Sequence, residues 1–142
     1  MRITHRTHQA LAALILLGRQ GPGARARLQD LAVATAVPSK VLESLLADLR
    51  RAGLIESRRG PEGGHSLARP LAAIRLLDAV EAADGPLQID RSAAGEAEGG
   101  MWGLRAVTDE WVGGLRATLA AATLEDVALR VDSGDGKIDF SI

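Results

Sequence analysis

The 142-residue chain contains no cysteine, no tyrosine, one phenylalanine and two tryptophans. Without cysteine there are no disulfides, thiolate zinc sites, thiol sensors or cysteine-ligated iron–sulfur clusters. Aromatics make up only 2% of a chain that is 46% hydrophobic. The core must therefore be Leu, Ala and Val, and a mainly α fold is expected. No apolar run approaches the roughly 18 residues that a bilayer span requires. Residues 10–17 follow a basic start but are closed by polar residues too early for a secretory leader, so a cytoplasmic location is expected. An enzyme is not expected either: there is no catalytic cysteine or tyrosine, no His–carboxylate arrangement and no phosphate loop at a strand–helix junction.

The net charge of −1 carries no message, but its distribution does. Residues 1–69 hold 11 Lys/Arg against 5 Asp/Glu, and residues 70–142 hold 6 against 13. All three histidines also fall in the basic half. One half suits a polyanionic partner and the other does not.

Residues 38–70 are the most informative stretch. Val41, Leu42, Leu45, Leu46 and Leu49 have the three-and-four spacing of an amphipathic helix. Pro38 suits its first turn, and Gly53 its end. Two short runs, 54–58 and 65–68, flank the Arg59-Gly60-Pro61-Glu62-Gly63-Gly64 cluster and read as a hairpin. A helix followed by a basic-tipped hairpin is the layout of a winged helix-turn-helix, in which Arg58 and Arg59 mark the wing tip. On the helix, Ser39, Lys40, Glu43 and Ser44 point away from the leucines. Lys40 suits a guanine, Glu43 a cytosine amine, and the serines either. The competing reading is a solvated polar face beside an ordinary surface hairpin.

Upstream, Thr4 caps a first helix running to about Gly18, with Leu11, Leu14 and Ile15 inward and Ala10 and Ala13 permitting close approach. Arg2, His5, Arg6 and His8 lie at its start, where free N–H groups and the helix dipole attract phosphate. The alternative is a solvated helix end. His5 and His8 have no Asp, Glu or Cys nearby to complete a metal site, so no metal is expected. Residues 28–35 read as a short second helix, joined to the third by a tight Ala36–Val37 turn.

Residues 74–84 read as a further helix with Leu77, Val80 and Ala83 on one stripe, so a DNA-binding domain spans 1–84. Residues 85–100 are small, polar and glycine-rich, and read as a mobile loop. From Met101 to about Ala121 a long helix carries an apolar seam of Leu104, Val107, Trp111, Leu115 and Leu119. The N-terminal unit already has its own core, so this seam calls for a partner, most simply the same helix of a second subunit. Gly113-Gly114 costs roughly 1 kcal/mol per glycine relative to alanine, and close crossing at a dimer axis accounts for it. Thr123 caps a short last helix that completes a 101–130 dimerisation unit. In the 131–142 tail, Ile138, Phe140 and Ile142 alternate with polar residues, as in a strand or a frayed end.

Several motifs together resemble the Rrf-two family of bacterial winged-helix regulators, the group containing IscR, NsrR and CymR. They are Arg2-Ile3-Thr4, Leu42-Glu43-Ser44-Leu45-Leu46, Leu49-Arg50-Arg51-Ala52-Gly53-Leu54, and the wing string Arg59-Gly60-Pro61-Glu62-Gly63-Gly64-His65-Ser66-Leu67-Ala68-Arg69-Pro70. The resemblance covers about residues 1–130. It implies a homodimeric transcription factor, usually a repressor, on palindromic double-stranded DNA. Its DNA contacts carry over to Thr4 and the first-helix start, Ser39 to Ser44, and Arg59 with its glycines.

Besides His8-Gln9 in place of the common Asp-Tyr, two departures stand out. Many members hold an iron–sulfur cluster on three cysteines in the loop matching 85–100, where this chain has Asp90, Ser92, Glu96 and Glu98. Carboxylates substitute poorly for thiolates, so no cofactor is carried over, and any signal would be a small molecule or a protein partner. His65 also replaces the usual wing aromatic. The rival function is a winged-helix protein-interaction module without DNA readout.

Overall fold

Leucine spacing determines the third helix, and the rest of the N-terminal unit packs around it. In a computed structural model, which describes residues 3–89 and 102–134, the elements are α1 (His5–Arg19), α2 (Leu28–Thr35), α3 (Ser39–Arg51), β1 (Ile55–Arg58), β2 (Gly64–Leu67), α4 (Leu76–Asp84), α5 (Trp102–Ala121) and α6 (Leu124–Asp132). Among the described residues the fold is mainly helical with one β-hairpin, as expected. Leu42, Leu45, Leu46 and Leu49 are buried on the inner face of α3, where they join Ala10, Ala13 and Leu14 of α1 and Leu31 of α2 in one core. Val41 departs from the expected stripe and is exposed, because it lies at the edge of the arc that the four leucines fill.

The boundaries of the first three helices have local causes. The Thr4 hydroxyl accepts from the Arg6 N–H at 3.1 Å and so caps α1. Between α2 and α3 the chain turns at Ala36, whose φ of +54° is the only positive value on a non-glycine among the described residues. Pro38 sits just outside the first turn of α3, as its N-cap. At the other end the Leu54 N–H donates to the Leu49 carbonyl at 3.0 Å and the Gly53 N–H to Arg50 at 2.9 Å, with Gly53 at φ +74°. This pair of bonds is the Schellman closure, which needs a residue in the left-handed region.

The hairpin pairs Ile55 with Leu67 and Arg58 with Gly64. Ala26 adds a short third edge, exchanging backbone bonds of 2.9 and 2.7 Å with His65. The wing is thereby tied to the chain just before α2.

The start of α4 corrects the sequence reading. Ile74 is extended (φ −105°, ψ 118°) after a 3-10 turn at Leu71–Ala73, and the helix begins only at Leu76. Residues 74–76 are held by the chain between α5 and α6: Leu124 N–H donates to Ile74 O at 2.9 Å, and Leu76 N–H to Ala122 O at 2.8 Å. Thr123 and Asp126 form a reciprocal capping box on α6. That helix continues through Val131 and Asp132, into the stretch read as a tail. Ile138, Phe140 and Ile142, like residues 90–101, lie outside the described residues.

Candidate nucleic-acid interface

With its leucines turned inward, α3 leaves Ser39, Lys40, Glu43 and Ser44 exposed on the opposite face. These residues occupy the N-terminal half of the helix, and the wing carries Arg58 and Arg59, both exposed, at the end of β1. The glycines that follow shape the tip. Gly60 adopts φ +106°, and the Gly63 N–H closes back onto the Gly60 carbonyl at 2.9 Å. A Cβ on Gly63 would lie 2.4 Å from the Arg58 carbonyl, and one on Gly64 would lie 2.7 Å from that of Ala26. The wing therefore passes too close to backbone at both positions for a side chain. Arg27, which carries no motif in the sequence, donates to the Pro61 carbonyl at 2.8 Å and pins the tip to the α2 N-terminus.

His65 is half-buried, with its Nδ1 2.8 Å from Ser57 Oγ across the hairpin. Burial, with the nearby charge of Arg50, pushes its imidazole below the usual range. It braces the hairpin in neutral form instead of adding a free cation to the wing.

At the start of α1, His5 is exposed, whereas Thr4 and Arg6 are engaged within the protein. Arg6 pairs with Asp48 of α3 (side chains 29% and 28% exposed) and donates to Ser44 Oγ at 3.4 Å and to the Ala83 carbonyl at 3.1 Å. The Arg6 guanidinium beside Asp48 holds that carboxyl below the usual carboxylate range. Asp84 accepts from the Thr4 N–H and from both the Thr4 and Thr7 hydroxyls, at 2.5 to 2.7 Å. Burial pushes the Asp84 carboxyl up, but these bonds outweigh it and the net displacement is downward. Arg2 lies outside the described residues.

Further along the chain, Leu104, Val107 and Trp111 form an exposed apolar strip on α5, with Trp111 67% and Leu104 58% exposed. Leu115 and Leu119, nearer the body, are half-buried. Between α4 and α5 a cavity of about 830 Å³ is lined by Glu81, Leu87, Ile89, Asp109, Val112 and Arg116. Arg116 spans it, paired with Glu81 and bonded to the Leu87 carbonyl at 3.1 Å. No helix among the described residues is long and apolar enough to cross a membrane.

Comparison with known proteins agrees with this geometry. The family model described as "Rrf2: Iron-dependent Transcriptional regulator" matches residues 3–130. A protein of Mycobacterium tuberculosis strain H37Rv, named as an HTH-type transcriptional regulator, is 34% identical over 137 residues, covering 90% of this chain and 81% of the relative. The HTH-type transcriptional regulator IscR of Cereibacter sphaeroides is 34% identical over 108 residues, 75% of this chain and 69% of its own length. Among solved structures, CymR, the global cysteine regulator of B. subtilis, superposes with a TM-score of 0.73 at 26% identity, covering 90% of this chain and 96% of its own. T. potens IscR shares the fold with a TM-score of 0.74 at 21% identity, covering 99% and 95%.

The iron in the family's description cannot be held here as a cysteine-ligated cluster. The sequence offers no thiolate at all, and no group of three or more His, Cys, Asp or Glu among the described residues is placed to hold a metal. The recognition-helix layout, the wing and the match over residues 3–130 nonetheless agree. The chain belongs to the Rrf2, or Rrf-two, family of DNA-binding transcriptional regulators, and is not an enzyme.

Proposed function

We propose that the protein works as a homodimer that reads a palindromic operator in double-stranded DNA and represses by occupying it, without an iron–sulfur cluster. The observation that carries this reading is the uncovered polar face of α3 together with the basic wing tip, both borne by one packed unit. In this reading Ser39, Lys40, Glu43 and Ser44 meet base edges, while His5, Arg58 and Arg59 meet phosphates, with Gly60, Gly63 and Gly64 letting the wing approach closely. The apolar strip Leu104–Val107–Trp111, continued by Leu115 and Leu119, supports a second copy as its cover. The cavity between α4 and α5 is the candidate seat of a small-molecule effector.

Selection of bound duplexes from a randomised pool, at two salt concentrations, tests the reading. Enriched sites should be inverted repeats whose half-site centres lie about 10 bp or a multiple apart, with affinity falling steeply with salt. Arg59→Ala should weaken binding to all sequences and lower the salt slope by about one. Altering Lys40 and Glu43 together should change which sites are enriched. A protein that enriches no site and runs as a monomer would instead be a protein-docking module.

A further inference from the structure

Arg6 occupies the first turn of α1, the positive end of a helix dipole, which is an unfavourable place for a cation. Its side chain leaves that end and crosses to the C-terminal turn of α4, where Nε donates to the Ala83 carbonyl at 3.1 Å. There the dipole has the opposite sign and carbonyls lack helical partners. The same guanidinium holds the Asp48 carboxylate and Ser44 Oγ on α3. Next to it, Asp84 gathers three donors from Thr4 and Thr7. Partners 38 to 80 positions apart in sequence thus meet at one point.

Among the described residues, the four buried leucines of α3 pack it onto the body, and such packing is non-directional and tolerates small rotations. A forked guanidinium bridging two helices is directional, and it fixes how the outer face of α3 is presented. Asp48 also lies one turn beyond Ser44 on that helix, so its negative charge faces the side that meets DNA unless it is neutralised. Arg6 and Arg51, the latter at 2.7 Å, neutralise it.

We propose that Arg6 is a positioning residue for DNA recognition: held between Asp48 of α3 and the Ala83 carbonyl of α4, it sets the orientation of α3 instead of supplying a phosphate contact. The proposal rests on the reading of α3 as the helix that meets base edges.

The two roles of Arg6 predict opposite signs for Asp48→Asn. If Arg6 were a phosphate anchor, the variant would free it and delete a negative charge, so binding would tighten on every sequence with a salt slope steeper by about 0.9. As a positioning residue, Arg6 loses its hold on α3, and affinity for the selected operator falls about tenfold. Affinity for a scrambled duplex of equal length does not fall with it, because the lost carboxylate leaves the basic face no less positive and only the reading of bases depends on how α3 is oriented. Arg6→Lys separates them again: a lysine still meets a phosphate as a point charge but cannot bridge Asp48 and the Ala83 carbonyl. It is expected to lose operator affinity as Asp48→Asn does. Fluorescence anisotropy on both duplexes across a salt series, with circular dichroism to confirm folding, reads all of this. Tighter operator binding by Asp48→Asn, or wild-type behaviour of Arg6→Lys, overturns the proposal. A wild-type protein that enriches no site overturns the DNA-readout reading instead, so the two failures are distinguishable.

Discussion

Replacing the wing glycines one at a time separates two costs that the hairpin tip combines. At Gly60 the backbone lies at φ +106° with open space where a Cβ would project. Gly63 has no positive φ, but its Cβ would lie 2.4 Å from the Arg58 carbonyl and 2.8 Å from the Gly60 carbonyl. Gly64 combines both, with φ +137° and a Cβ 2.7 Å from the Ala26 carbonyl. A side chain held at such φ costs about 1–3 kcal/mol, offset by about 0.4–1 kcal/mol from the stiffer unfolded chain. Gly60→Ala should therefore destabilise by about 1 kcal/mol. At Gly63 the clashing atoms are backbone and cannot rotate away, so the 60–63 turn must open at a cost of about 1–3 kcal/mol. At Gly64 both terms apply, about 2–5 kcal/mol in all, and the paired Ala26–His65 bonds are strained as well. Urea denaturation followed by far-UV circular dichroism, at unchanged m-value, gives the differences directly. The expected order of loss is Gly60→Ala, then Gly63→Ala, then Gly64→Ala. A Gly64→Ala variant within about 0.5 kcal/mol of Gly60→Ala would refute the close-approach argument, since that difference is the whole steric term.

Three further outcomes are expected. Ala36→Gly relieves a left-handed alanine and should be neutral or stabilising by up to about 1 kcal/mol, whereas Ala13→Gly in the buried middle of α1 should destabilise by at least that much; thermal melts compare the two. Trp111→Glu places a charge on the exposed strip of α5 and should weaken the proposed dimer about 100-fold or more, read as a shift to monomer by light scattering with helicity unchanged. Stability should fall on acidification in two stages. His65 is held below its ordinary value in the folded state, so below about pH 6.5 the unfolded chain takes up a proton first, and stability is lost as pH falls from there through the folded-state value. Asp48 and Asp84, also held low, contribute stability that is complete above about pH 5 and is lost as pH falls through their folded-state values. Melting temperature across pH 3–8 checks both limbs, and His65→Gln should flatten the upper one.

Much of the fold is legible in the sequence because its causes are local. The leucines of α3, the Thr4 and Thr123 caps and Gly53 each act within a turn or two of chain, and they delimit the elements that their types and spacing predict. Ile74 reads as helical because its periodicity fits a helix; the strand-like pairing that extends it comes from residues 122–124, far along the chain. The same distance hides part of the candidate site. Arg6 reads as a free cation beside a helix N-terminus until Asp48 and Ala83 are brought to it, and Asp84 reads as an ordinary helix-ending residue. Arg27 has no local signal, and its role depends on the Pro61 carbonyl arriving from the wing.

The backbone bonds that fasten residues 74–76 to residues 122–124 have a geometric consequence for the assembly. They weld the root of α5 to the body that carries α3, so in the proposed dimer the distance between the two α3 helices is dictated by the stalk and not by a hinge. The stalk then acts as a ruler. Each residue added to a helix lengthens it by about 1.5 Å and rotates it by roughly 100°, so adding or deleting residues in α5 would rephase the two reading surfaces along the duplex. Operator spacing would thus be written in a segment that never touches DNA.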